Sequence, residues 1–167
     1  MPTIRPGIAT DARTILMLVR ELATYERAPD AVVATEADLL RHGFGEAPLF
    51  RTLVAEDSGT VIGFALYYFG FSTWTGAPIL YLEDLFVRPP HRGRGAGLAL
   101  MQALAREATG AGCKRFVWQV LDWNEPALRF YESLGATVRK EWLTVRVEGE
   151  ALIRLASAKL AGSVSAR

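Results

Sequence analysis

The chain has 167 residues, half of them hydrophobic and 22% charged, which fits one ordinary domain with a real core and excludes a disordered chain. Nineteen Lys and Arg against eighteen Asp and Glu leave a net charge of +1, so no charge excess points to a nucleic-acid or membrane-surface partner. The single cysteine, Cys113, excludes an internal disulfide framework and a Cys-cluster zinc site, and the separated His42 and His91 argue against a metal site.

In chain order, Ile15, Leu18, Val19, Leu22 and Ala23 recur at helical spacing behind the capping residues Thr10 and Asp11. Thr35 and Asp38 have capping-box spacing before Leu39–Leu40, with Gly43 at the helix end. Phe50–Glu56 and Val61–Phe71 read as strands about an Asp57–Thr60 turn, a hairpin. Ile79–Val87 is a further strand, Arg88–Gly97 a loop, and Leu98–Ala108 a helix closed by Gly110 and Gly112. Phe116–Leu121 reads as a short buried strand, and Pro126–Leu134 as a helix with Gly135 at C′. Short strands around Thr137–Val138 and Trp142–Val147 are expected to complete the sheet, followed by a helix over Glu150–Leu160 and a frayed tail over 161–167. This order predicts a single α/β domain over residues 1–160, a mixed sheet flanked by helices and not a doubly wound one. The start lacks a charged n-region and apolar h-region, and no apolar run nears the ~20 residues of a membrane span, so a cytoplasmic location is expected.

Three stretches carry chemistry. In the loop Arg92-Gly93-Arg94-Gly95-Ala96-Gly97-Leu98, the glycines let backbone approach a ligand. The following helix start offers unpaired N–H groups and a positive dipole end for a pyrophosphate, with Arg92 and Arg94 as charged donors. The alternative is a plain Gly-rich connection. The dinucleotide fingerprint fails, because its third glycine position falls on Leu98, and no lysine follows to make a phosphate loop of the Gly-Lys-Ser/Thr kind. Glu83-Asp84 interrupts the apolar run Ile79–Val87, and a strand turns such neighbours to opposite faces. Each carboxylate needs a partner or a wet cleft. Asp84 suits a salt bridge as well as a cleft, and Glu83 suits general-base work. Asn124 stands where a strand gives way to a helix, and Tyr131 lies about a turn and a half into that helix, where an amphipathic core tyrosine is the ordinary reading.

These motifs resemble the GNAT N-acetyltransferases: Tyr81-Leu82-Glu83-Asp84, Arg92–Gly97, Asn124-Glu125-Pro126, Phe130-Tyr131 and Leu134-Gly135-Ala136. Within that superfamily the chain is similar to the diamine (spermidine/spermine) and thialysine acetyltransferases, over roughly residues 4–155. Agreement extends to Glu21–Glu26, Asp38–Gly45 and Gly63–Phe69. The resemblance implies a mostly antiparallel central sheet, acetyl-CoA as donor, no metal, a small-molecule primary amine as acceptor and a homodimer. It implies that Gly93–Leu98 hold the pyrophosphate and that Leu85, Phe86 and Val87, at a strand splay, hold the pantetheine arm and thioester with Asn124 and Ala127. It makes Tyr131 the acid for the departing thiolate and Glu83 the base, with Tyr25, Glu26, Trp74 and Asp84 shaping the amine site. Ser72-Thr73 stands where the animal spermidine enzymes carry Asp-Pro, and the end, Gly162–Arg167, is not acidic. Both departures point to a smaller amine, thialysine or a short diamine. A protein or peptide acetyltransferase, and a non-catalytic CoA- or polyamine-binding sensor, are the rival readings.

Overall fold

The computed structural model describes residues 2–158. The chain divides into two compact units, Met1–Val120 and Leu121–Arg167.

The first unit holds a five-stranded sheet in the order β1-β2-β3-β4-β5: β1 Thr3–Pro6, β2 Arg51–Asp57, β3 Thr60–Ser72, β4 Ala77–Val87 and β5 Arg115–Trp118. All neighbours are antiparallel except β4 and β5, which run parallel and are joined through helix α3, Ala96–Gly110. Helix α1, Ala12–Tyr25, and helix α2, Glu36–Gly43, precede β2. The mixed α/β architecture is the expected one.

Local chemistry accounts for these elements. The capping box forms as expected: Asp38 N–H donates to Thr35 Oγ1 at 3.2 Å, and Thr35 N–H donates to Asp38 Oδ2 at 3.0 Å. The β2–β3 turn places Ser58 and Gly59 at φ 51° and 78°, the left-handed pair that matches the twist of a two-residue hairpin. Asp11 takes a different part from the one its position suggests. It closes a 3-10 turn, Ala9–Asp11, and its carboxylate accepts from Ile8 N–H and from both terminal nitrogens of Arg5.

The apolar stripe of α1 (Ile15, Leu16, Leu18) packs with Leu39, Val54, Phe64 and Phe86 on one face of the sheet. On the other face Tyr67 bonds Glu107 of α3, where Leu100 and Leu104 are fully buried.

Strand β1 was not read from the sequence. Four residues with an irregular exposure pattern, at the sheet edge, carry too little periodicity. Strand β5 is shorter than expected and half-buried, ending at Trp118. The second unit holds α4, Glu125–Ser133, and α5, Glu150–Ser157. Gly135 follows α4 at φ 84°, as a C′ glycine should. The strands expected around Thr137–Val138 and Trp142–Val147 are absent: residues 136–148 form no strand, and Trp142, Leu143 and Val145 are exposed. Alternating apolar residues supply strand propensity, but a strand exists only through a hydrogen-bonded neighbour, and the described sheet ends at β5. The tail from residue 159 lies outside the described residues.

Candidate active site

Strand β4 positions the carboxylates. Its pairing with β3 shifts between Leu82, opposite Tyr67, and Asp84, opposite Leu66, so Glu83 is the extra residue of a β-bulge. A bulge re-aims side chains that a regular pleat would fix. It moves Asp84 to the α1 side of the sheet, with Leu66 and Phe86, and leaves Glu83 exposed.

Asp84 is half-buried, and burial lifts its carboxyl to about 6; the negative charges of Glu83 and then Glu26 push the same way. Glu26 caps the end of α1, and its own carboxyl is raised by desolvation. Three carboxylates from two elements thus share one region, and none of the ion pairs among the described residues neutralises them. Such a cluster is poised for a cation.

Two tyrosines flank it that sequence reasoning passed over as candidates. Tyr68 and Tyr81 stack across β3 and β4, ring centroids 5.0 Å apart and planes 27° from parallel. Both phenols are raised, first by desolvation and then by the charge of Glu83. The two-residue spacing of Tyr81 and Glu83 along one strand was the available signal. Trp74 sits exposed in the β3–β4 turn, at 78% of its full surface.

Beside Leu85, Phe86 and Val87 the pairing of β4 on the β5 side has already stopped. Strand β5 pairs with β4 only from Ile79 to Leu82, so on that side no described strand meets the backbone from Glu83 onward. Beyond β4 comes a 3-10 turn, Pro89–His91, then the Gly-rich loop. Gly93 and Gly95 have φ of 71° and 87°, and a Cβ on either would meet no heavy atom within 4 Å. Their hydrogens therefore serve backbone conformation and leave open space beside the loop. Gly95 is the N-cap of α3, which starts two residues earlier than the sequence suggested and has no side-chain cap. The first intrahelical bond there is Ala99 N–H to Gly95 O at 2.9 Å. The N–H groups of Ala96, Gly97 and Leu98 are thus the donors left over at the helix start. An anion of phosphate chemistry fits that cradle. Arg92 and Arg94 are both exposed, and Arg92 folds back, donating its Nε–H to Val87 O at 2.8 Å.

Tyr25 ends α1 in the first unit, and the remaining site residues lie in the second. Asn124 is buried and caps α4, its Oδ1 accepting Ala127 N–H at 3.3 Å. Capping is a part not expected of it from the sequence. Tyr131 lies in α4 with its ring 5.4 Å from that of Phe130. Cys113 is half-buried, and desolvation raises its thiol. Among the described residues no group of three or more His, Cys, Asp or Glu could hold a metal ion, and no helix is long and apolar enough to cross a membrane. A surface hollow of about 410 Å³, lined by Arg5, Asp11, Glu56 and Arg88 among others, shares no residue with this site.

Residues 16–136 match the model of the acetyltransferase (GNAT) family. The chain is 43% identical over 164 residues to the thialysine N-epsilon-acetyltransferase of Sus scrofa, covering 92% of this chain and 96% of that one. It is 39% identical over 163 residues to the spermidine/spermine N(1)-acetyltransferase-like protein 1 of Homo sapiens, covering 92% of this chain but 23% of that longer one. Among solved structures, an integron cassette protein from the mobile metagenome of V. cholerae superposes with a TM-score of 0.78 at 30% identity, covering 94% of this chain and 98% of that one.

Proposed function

The chain belongs to the GNAT acetyltransferase family, and from that premise we propose how its own residues carry acetyl transfer from acetyl-CoA to a small-molecule primary amine. The observation that carries the reading is the carboxylate cluster Glu26, Glu83 and Asp84, neutralised by no ion pair among the described residues, on a chain whose α3 starts with open N–H donors.

The co-substrate supplies an acetyl thioester and a pyrophosphate. The N–H groups of Ala96, Gly97 and Leu98, with Gly93, Gly95 and the cation of Arg94, suit the pyrophosphate. Backbone from Leu85 to Val87 has the strand edge that an amide-bearing arm needs, and Asn124 and Ala127 are assigned to the same arm.

The acceptor arrives as a cation. An alkyl ammonium of pKa ~10.4 costs ~4 kcal/mol to deprotonate at pH 7.4. Asp84 and Glu26 hold the ammonium, with Tyr25 and Trp74 lining the site, and an arriving cation draws the Asp84 carboxyl back toward its ionised form. Glu83, exposed on the bulge, takes the proton through water. Tyr131 gives a proton to the departing thiolate. A phenol of pKa ~10 facing a thiol of pKa ~8.5 is close enough in proton affinity for that exchange.

The acceptor we infer is thialysine or a short diamine. The support is Ser72-Thr73 beside Trp74, where a further acidic residue would favour a longer polycation, together with the similarity to the Sus scrofa enzyme. The reading includes a single catalytic domain acting as a cytoplasmic homodimer.

The test is acetyl-CoA-dependent thiol release with spermidine, spermine, putrescine, thialysine, lysine and a basic peptide. Release with thialysine or putrescine well above spermine is the expected result. A preference for spermine would overturn the acceptor, and a preference for the peptide would overturn the small-molecule reading.

A further inference from the structure

Arg92 opens the loop that cradles the pyrophosphate, where a guanidinium would ordinarily be counted as one more phosphate donor. Its side chain is engaged differently. Nε–H donates to Val87 O at 2.8 Å, which turns the guanidinium back over the end of β4. The guanidinium carbon lies 4.7 Å from the centroid of the Tyr25 ring and 5.4 Å from that of Phe86. Both distances are within the ~6 Å over which a cation is drawn to an aromatic face. One planar cation thus touches the last residue of α1, the end of β4 and the loop itself. A second tie joins the same two elements: Arg88, just beyond β4, bonds Glu21, one helical turn before Tyr25 on the same face of α1.

We propose that Arg92 is a positioning residue that couples the donor site to the acceptor site. Its guanidinium holds the end of α1, with Tyr25 and Glu26, against β4 while the 92–97 loop presents its N–H groups. The inference rests on the proposed function in placing the amine beside Tyr25 and Glu26. A donor that fixes the loop then also fixes the wall of the amine site, so each substrate tightens the other. Lysine keeps the charge but not the planar fork that reaches a carbonyl and two rings together.

The experiment compares wild type with Arg92→Met, Arg92→Lys, Tyr25→Leu and the Arg92→Met/Tyr25→Leu double variant. It reads steady-state amine kinetics, acetyl-CoA affinity by calorimetry, and backbone hydrogen exchange over residues 21–27 with and without acetyl-CoA. The expected result for Arg92→Met is an amine KM raised tenfold or more with the acetyl-CoA Kd changed less than threefold. Arg92→Lys recovers part of that loss, and Tyr25→Leu added to Arg92→Met costs less than a further twofold. Acetyl-CoA slows exchange over 21–27 in wild type and leaves it unchanged in Arg92→Met. A loss confined to acetyl-CoA affinity would make Arg92 a phosphate ligand and overturn the proposal. So would full multiplication of the two single effects, or exchange that bound acetyl-CoA does not alter in wild type. Absence of amine turnover with acetyl-CoA still bound removes the proposed acceptor instead, and the exchange measurement then decides the coupling on its own.

Discussion

Arg88 grips Glu21 with both ends of its fork, Nε at 3.0 Å from each carboxylate oxygen and Nη2 at 2.7 Å from Oε1. The pair pins α1 to the point where β4 becomes the Gly-rich loop. Both side chains keep some solvent contact, 24% and 38% exposed, so screening limits the pair to about 1 kcal/mol. Glu21→Gln is expected to lower the thermal midpoint by about 2–4 °C. Its amine KM should rise while acetyl-CoA affinity holds, since Tyr25 and Glu26 end the helix that loosens. Unchanged melting would show that the pair pins nothing.

The Asp84 carboxyl titrates near 6 in the folded chain, about two units above its usual 3.8. The folded state therefore binds the extra proton more tightly than the unfolded one, and stability falls as pH rises from about 4 through 6. The full penalty, up to about 3 kcal/mol, is present above pH 6 and absent below pH 4. Asp84→Asn is accordingly expected to raise the melting temperature at pH 8 and to have no such effect at pH 4. Amine binding runs in the opposite direction. The ionised carboxylate is the form that holds an ammonium, so amine KM should climb as pH drops through 6 in wild type, and that break should vanish in Asp84→Asn. A melting temperature unaffected at pH 8 would contradict the burial of this carboxylate.

Much of this was legible because it is written in local chemistry. Thr35 and Asp38 announce a helix start, Ser58-Gly59 a tight turn, and Gly93 and Gly95 a backbone open to close approach. Placing Glu83 and Asp84 inside an apolar strand marked them as needing a cation or water. What escaped depends on pairing between distant segments. The bulge at Glu83 exists only in the register of β4 against β3, which two-residue alternation along one strand does not reveal. The position of Arg92 depends on α1 lying across β4, and β1 depends on β2 as a partner. The residues 142–147 show the converse: a good strand pattern without a partner in the sheet remains irregular.

Gly95 has φ 87° at the N-cap of α3, a conformation that costs a residue with a Cβ about 1 kcal/mol or more. No neighbouring atom would clash with the added methyl, so the penalty is backbone strain alone. Gly95→Ala should therefore fold, with a melting temperature lowered by a few degrees. Relief of the strain turns the N–H groups of Ala96–Leu98 away from their common focus, and acetyl-CoA affinity should fall about tenfold or more. Calorimetry with CoA and with dephospho-CoA separates loss at the pyrophosphate from loss at the 3′-phosphate. Equal losses for both ligands are expected, and a loss for CoA alone would place the defect elsewhere.

Glu83→Gln removes a proton acceptor and Tyr131→Phe a proton donor, at opposite ends of the reaction, and pH distinguishes them. Without its base, the enzyme must wait for amine that is already neutral, a population that grows tenfold per pH unit up to ~10. Glu83→Gln should lose roughly a hundredfold in kcat/KM for the amine at pH 7 and recover most of it by pH 9.5, with acetyl-CoA affinity unchanged. Tyr131→Phe should lose a similar factor in kcat, because at pH 7 a thiolate leaving group gains from a proton delivered as the bond breaks. Raising the pH does not supply that proton, so its deficit should not be recovered on the alkaline side. A Tyr131→Phe enzyme with unchanged kcat would take the tyrosine out of its role, and a Glu83→Gln deficit flat with pH would make that carboxylate an electrostatic anchor instead of a base.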